Sequence, residues 1–163
     1  MYLLGLPFGY CITYLILFFG IPLFFDTKIP RLRYRSLLSI AIILLVYFTV
    51  LKATFLIPDV ELANRVLHVL GGGVLIVIVC FLSIKDSGVT INMFQFFVIG
   101  ILIATMCGVI NEIAEFILQS QFGFIAAHSV IDTWLDLTSN TIGAVVASAC
   151  IAPLMRKLKR TLL

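Results

Sequence analysis

An all-α, polytopic integral membrane bundle is the fold class that this sequence predicts, and three observations carry the prediction. Hydrophobic residues make up 62% of the chain and charged residues 12%, against roughly 45–50% and 25% in soluble domains. The mean hydropathy is +1.19. Apolar stretches of about 18 or more residues recur, each long enough at about 1.5 Å per residue to cross a hydrocarbon core of ~30 Å.

Five spans follow in order. The first covers about residues 3–25, with Pro7 and Pro22 expected to break it into turns, and leads into the basic segment "DTKIPRLRYRS". "MYLLGLPFGY" lacks a basic start and a small-residue cleavage site, so it reads as the beginning of a retained helix. The second span covers about 37–57 and stops at Pro58; the third, after "PDVE", covers about 62–84. A polar turn, "KDSGVTIN", precedes the fourth at about 93–119, and the fifth runs over about 133–155 into "RKLKR". There is no internal repeat and no linker, so residues 1–163 read as one membrane domain.

Basic residues favour the cytoplasmic side of short loops, which places Lys28, Arg31, Arg33 and Arg35 and the "RKLKR" tail inside. Five spans satisfy both placements and put the N-terminus outside and the C-terminus inside. The formal charge of +3 lies largely in those two segments, which speaks for membrane orientation and against a nucleic-acid partner. Cys11, Cys80, Cys107 and Cys150 lie singly in apolar runs without a C-x-x-C pair and read as small buried packing residues. The tyrosines and phenylalanines of the spans read as lipid-facing or core.

With that topology, the ionisable residues of the spans gather in the outer half: Lys52, Arg65, His68, Glu112, Glu115, Asp132 and Asp136. Helical spacing aligns them, since residues three and four apart share a face. Gly100, Ala104 and Gly108 form a small-residue stripe that Asn111, Glu112 and Glu115 continue. Asp132, Asp136 and Asn140 recur every four residues above Gly143, Ala144, Ala147 and Ser148. Glu61, Asn64 or Arg65, and His68 stand likewise above Gly71 and Gly72.

A charge at the centre of a membrane helix costs about 2.5–3.5 kcal/mol. Four acids against Arg65 and Lys52 leave two negative charges, which a protonated His68, protonated carboxyls, a bound cation or a cationic ligand group would balance. His68, Glu112, Asp132 and Asp136 are therefore the catalytic candidates. Glu112, Glu115 and Asp136 are the candidate metal ligands, suited to a divalent cation such as Mg, Mn or Ca, with a histidine permitting Mn or Zn. Arg65, Asn111, Asn140 and Lys52 complete the candidate substrate-binding or polar network. His128 lies in the outer loop and reads as solvated.

"NRVLHVLGGG" (64–73), "GVINEIAEFILQ" (108–119) and "SVIDTWLDLTSNTIGAVV" (129–146) resemble segments of the VanZ-like membrane proteins, so residues 60–150 read as a VanZ-like core. The resemblance singles out His68, Asn111, Glu112, Asp132, Asp136, Asn140 and Gly143. Asn64-Arg65 replaces the acidic-basic pair often found ahead of the histidine, and Glu115 stands where a neutral polar residue is common. The resemblance implies a cell-envelope protein of the plasma (inner) membrane and, through its namesake, a link to glycopeptide-antibiotic resistance; it implies no reaction.

Three functions fit these residues. The first is binding of, or chemistry on, a lipid-linked or amphiphilic envelope substrate at the outer leaflet, with membrane lipid as the partner and Arg65 or Lys52 holding an anionic head. The second is an assembly partner of an envelope membrane complex, its polar residues forming an interhelical network. The third is a proton- or cation-coupled carrier, which would require polar residues continuing toward the inner side.

Overall fold

A computed structural model describes the backbone of residues 2–123 and 129–156, with side chains from residue 7 onward. Helix α1 spans Tyr2–Phe24, α2 Tyr34–Thr54, α3 Val60–Leu67, α4 Ile76–Ser87, α5 Met93–Phe122 and α6 Val130–Ile151. A π-helical segment, His68–Leu75, joins α3 to α4 without a break. Five helical stretches are thus long and apolar enough to cross a membrane, the third being the continuous Val60–Ser87. The residues 157–160 of the basic tail and His128 lie outside the described residues.

The helix ends depart from the sequence expectations for local reasons. Pro7 and Pro22 lie inside an unbroken α1, as transmembrane helices allow when neighbours re-satisfy the freed carbonyls. At the end of α1 the Pro22 carbonyl accepts from the Thr27 backbone N–H at 2.8 Å and from the Thr27 hydroxyl at 3.2 Å. Helix α2 stops at Thr54, short of 57, and single turns link Leu56 to Ala53 and Ile57 to Thr54 ahead of Pro58, which disfavours helical backbone before it. Helix α5 continues to Phe122 because its first left-handed residue is Gly123, φ 69°. Helix α6 begins at Val130, not 133, because Ser129 accepts from the Asp132 N–H at 3.1 Å and caps it.

The small-residue stripes lie where the periodicity put them. On α5 the buried residues are Phe96, Gly100, Ala104, Gly108 and Glu112, one every fourth position. On α6 they are Asp136, Ser139, Asn140, Gly143, Ala144, Ala147 and Ser148. A methyl group built on Gly73 would stand 2.6 Å from the Asn140 carbonyl oxygen and 2.7 Å from the Gly143 Cα, and one on Gly143 would overlap the Val69 carbonyl. Gly73 and Gly143 therefore bring the π-helical segment and α6 into backbone contact, the small-residue packing that substitutes for hydrophobic driving force between helices in lipid.

Around this crossing, α1 rests on α4 and α2, while α5 rests on α6 and α4. Tyr14, Phe18, Ile43, Tyr47, Leu75, Val77 and Phe96 fill the core. The Tyr14 hydroxyl donates to Asp86 at 2.7 Å, pinning α1 to the end of α4. The exterior is apolar, with Ile12, Ile16, Leu23, Leu102, Met106 and Val146 exposed. All four cysteines are free, but only Cys80 is buried and Cys150 is exposed, so the expectation of four buried packing residues holds for one; Cys150 falls on the outer face of α6, opposite the seam.

Candidate functional site

The site begins with the inner face of α6. Asp136, one turn below Asp132 and one above Asn140, is buried against the third span, its side chain 4% exposed. Three residues of that span converge on one carboxylate oxygen, Asp136 Oδ1. Asn64 Nδ2 donates to it at 3.1 Å, Arg65 Nη1 pairs with it, and His68 Nε2 stands 3.4 Å away. Asn64 and Arg65 each share a face with His68, lying four and three residues before it on the third span.

Arg65 spans two acids. Its Nη2 pairs with Asp132 Oδ1, and its Nη1 also donates to the Asp132 carbonyl at 3.3 Å. A guanidinium suits this role, having a rigid fork of donors and no accessible neutral form. Its charge is thereby committed to α6 and is not turned toward a ligand. Lys52, the other expected cation, is exposed at the end of α2 and forms no ion pair among the described residues; of the four carboxylates, Asp132 and Asp136 have Arg65 as their fixed positive partner and Glu112 and Glu115 form no pair with it.

The opposite wall is α5. Glu112 is 8% exposed and both its carboxylate oxygens lack a hydrogen-bond partner among the described residues. Asn111 and Thr133 stand near it without hydrogen-bond geometry. One donor atom each from His68, Glu112 and Asp136 lies within 4.8 Å of the others. Glu115, expected as a metal ligand, falls outside that triad and instead accepts from Asn111 Nδ2 at 2.7 Å; three residues further along α5, it lines the pocket. Asp132, an expected catalytic candidate, stays apart from the triad, held by Arg65. Glu61 is exposed and joins none of these contacts.

Beneath the carboxylates, Asn140 fills the space that two glycines leave. A methyl on Gly72 would overlap its amide, and one on Gly108 would stand 2.8 Å from Asn140 Nδ2. Asn140 Oδ1 is buried and unpartnered among the described residues.

A cavity of about 710 Å³ opens from this polar end, within the size of small-molecule sites. His68, Asn111, Glu115, Asp136 and Asn140 line its polar end; Ile12, Ile16, Tyr47, Ile76, Cys107 and Ile110 line the rest. Since α1 and α5 rest on other helices, the cavity runs between them. Sequence reasoning missed Tyr10, Thr13 and Tyr47 as pocket walls. In the sequence nothing sets them apart, because α1 carries tyrosines, phenylalanines and glycines along its length.

Residues 7–157 match a family model described as "Predicted membrane protein (DUF2238)". Neither the curated proteins nor the solved structures gave a match.

Proposed function

The chain belongs to the DUF2238 family of predicted membrane proteins, and from that premise we propose that its pocket binds an amphiphilic or lipid-linked envelope substrate. The observation that carries this reading is the shape and lining of the 710 Å³ cavity, polar at the carboxylate end and apolar between α1 and α5. An amphiphile needs both environments at once, and a gap between two lipid-exposed helices lets it enter sideways. The head would meet His68, Asn111, Glu115 and Asp136, and the tail Ile12, Ile16 and Ile110.

The family model that matches is not a VanZ model, and an envelope role in the plasma (inner) membrane has as its support only the resemblance of the three segments around Asp136 to VanZ-like proteins. The basic segment at 31–35 supports an orientation with the N-terminus outside, the C-terminus inside and the carboxylates toward the extracytoplasmic face. Whether the bound molecule is altered turns on the triad of His68, Glu112 and Asp136, which offers a base and two carboxylates within reach of one atom.

The assembly-partner reading has one observation in its favour: Asn64, Arg65, His68, Asp132 and Asp136 form an interhelical network with each other. The carrier reading has less, because below Asn140 the seam closes with Gly73 in backbone contact with Gly143 and Ala144, and Ala147 beyond them is buried.

Native mass spectrometry of protein extracted in mild detergent tests the proposal. A discrete lipid or lipid-linked species should remain bound, and Ile110→Trp, which fills the apolar arm, should displace it. Detergent-stable protein that carries no such species in either form would favour the network reading.

A further inference from the structure

We propose that His68, Glu112 and Asp136 form a binding site for one divalent cation of the Mn²⁺ or Zn²⁺ class. Acidic residues close together do not make a metal site, and three further features point to one here. First, Glu112 is 8% exposed and neither of its carboxylate oxygens has a hydrogen-bond partner among the described residues, although its carboxyl is turned toward His68 and Asp136. A buried polar group left so is costly, and a bound ion supplies the missing partner. Second, the His68–Asp136 donor spacing fits a shared ion, and a Glu112 oxygen lies within 4.8 Å of both. Two ligands of one ion at about 2.0–2.2 Å stand about 3.0–3.5 Å apart, and His68 Nε2 lies 3.4 Å from Asp136 Oδ1. Third, the Asp136 carboxylate is held in place beside His68, since Asn64 and Arg65 both bond to its Oδ1. Such partners orient ligands and sharpen affinity.

The charge count agrees. Against the charges of Asp132, Asp136, Glu112 and Glu115 stands that of Arg65, and a divalent ion brings that group to within one charge of neutral. One imidazole nitrogen with two carboxylates favours Mn²⁺ or Zn²⁺ over Mg²⁺ or Ca²⁺, which prefer oxygen alone. Three protein ligands leave open positions, and His68 and Asp136 both line the cavity, so those positions face it. The cation site stands whether or not an amphiphile fills the cavity, and its test uses the metal alone.

Full-length protein carrying no polyhistidine tag would be stripped with chelator, dialysed against Mn²⁺ or Zn²⁺ in detergent without added lipid, and analysed for bound metal. The proposal expects one ion per chain in the wild type and in Lys52→Gln, and a loss of affinity beyond the roughly tenfold to hundredfold typical of outer-contact changes in Glu112→Gln and His68→Gln. No bound metal in the wild type, or equal binding in all four proteins, would overturn it. Should the site variants fail to fold, pulsed electron paramagnetic resonance of the Mn²⁺-loaded wild type decides instead. The chain has two histidines, so an imidazole nitrogen coupling that persists in His128→Gln assigns the ligand to His68, and its absence from that variant refutes the site.

Discussion

Gly72 and Asn140 occupy one space: the volume a side chain at Gly72 would take is filled by the Asn140 amide. Gly108 bounds the same amide from α5, where a methyl would come within 2.8 Å of Nδ2. Asn140 is therefore the wedge on which the π-helical segment, α5 and α6 meet, directly below Asp136. Gly72→Ala must push the amide or the backbone aside, at a cost of about 1–3 kcal/mol for overpacking. Thermal unfolding in detergent should show a lower midpoint for Gly72→Ala and none for Gly20→Ala, where nothing lies within 4 Å.

Arg65 holds two carboxylates of α6, and removing it strands Asp136 in a buried position. Loss of one member of a buried pair costs about 3–5 kcal/mol. Arg65→Gln should therefore destabilise strongly, and Arg65→Gln with Asp136→Asn should recover part of the loss. A double-mutant cycle from unfolding measurements reads the coupling directly; additive effects would mean that the pair contributes nothing jointly.

Tyr14→Phe removes one hydroxyl and its 2.7 Å bond to Asp86. A hydrogen bond to a charged acceptor contributes about 1.5–3 kcal/mol. The variant should lose stability of that order yet keep any ligand bound in the cavity, because Tyr14 lies outside its walls.

The apolar arm of the cavity gives the opposite pairing. Thr13→Trp, on α1, should lower the amount of co-purifying amphiphile with little change in unfolding temperature, as the side chain enters existing space. Native mass spectrometry and thermal unfolding on the same preparation separate the two effects.

Orientation can be checked by reporter fusions. A cytoplasmically active reporter fused after residue 163 should be active, and one inserted at Asp59 should be silent. Replacing Arg31, Arg33 and Arg35 with glutamate should weaken or invert that pattern, since those residues carry much of the inside bias.

The spans and the inner faces were legible in the sequence because both follow from periodicity. Gly100, Ala104, Gly108 and Glu112 recur every fourth residue, and so do Asp132, Asp136 and Asn140; helical geometry alone turns each set to one side. Which acid meets which base was not legible, because it depends on how three helices are rotated and slid against one another. Glu115 and Glu112 are alike in sequence, yet a rotation of under a turn leaves Glu112 facing His68 and Glu115 bonded to Asn111. Lys52 looked like a partner because depth was readable and direction was not; α2 leaves it exposed, with no ion pair among the described residues. The pocket walls on α1 were hidden for a further reason. Tyr10 and Thr13 acquire meaning only from a gap between helices, and a gap has no residues of its own.

The π-helical segment between His68 and Leu75 sets the phase of the whole third span. A π-helical turn holds an extra residue relative to an α-helical one, and each residue of an α-helix advances the side chains by about 100°. Deleting a single residue there would let the segment rewind as ordinary α-helix with its two ends close to their present register, whereas rewinding all eight residues at full length would turn one end against the other by roughly a third to a half of a turn. If the lower half stayed seated with Val77, Val79 and Cys80 in the core, then Asn64, Arg65 and His68 would swing away from Asp136. The eight residues from His68 to Leu75 thus act as a gear whose winding, wider than that of the helix on either side, keeps Asn64, Arg65 and His68 turned to Asp136.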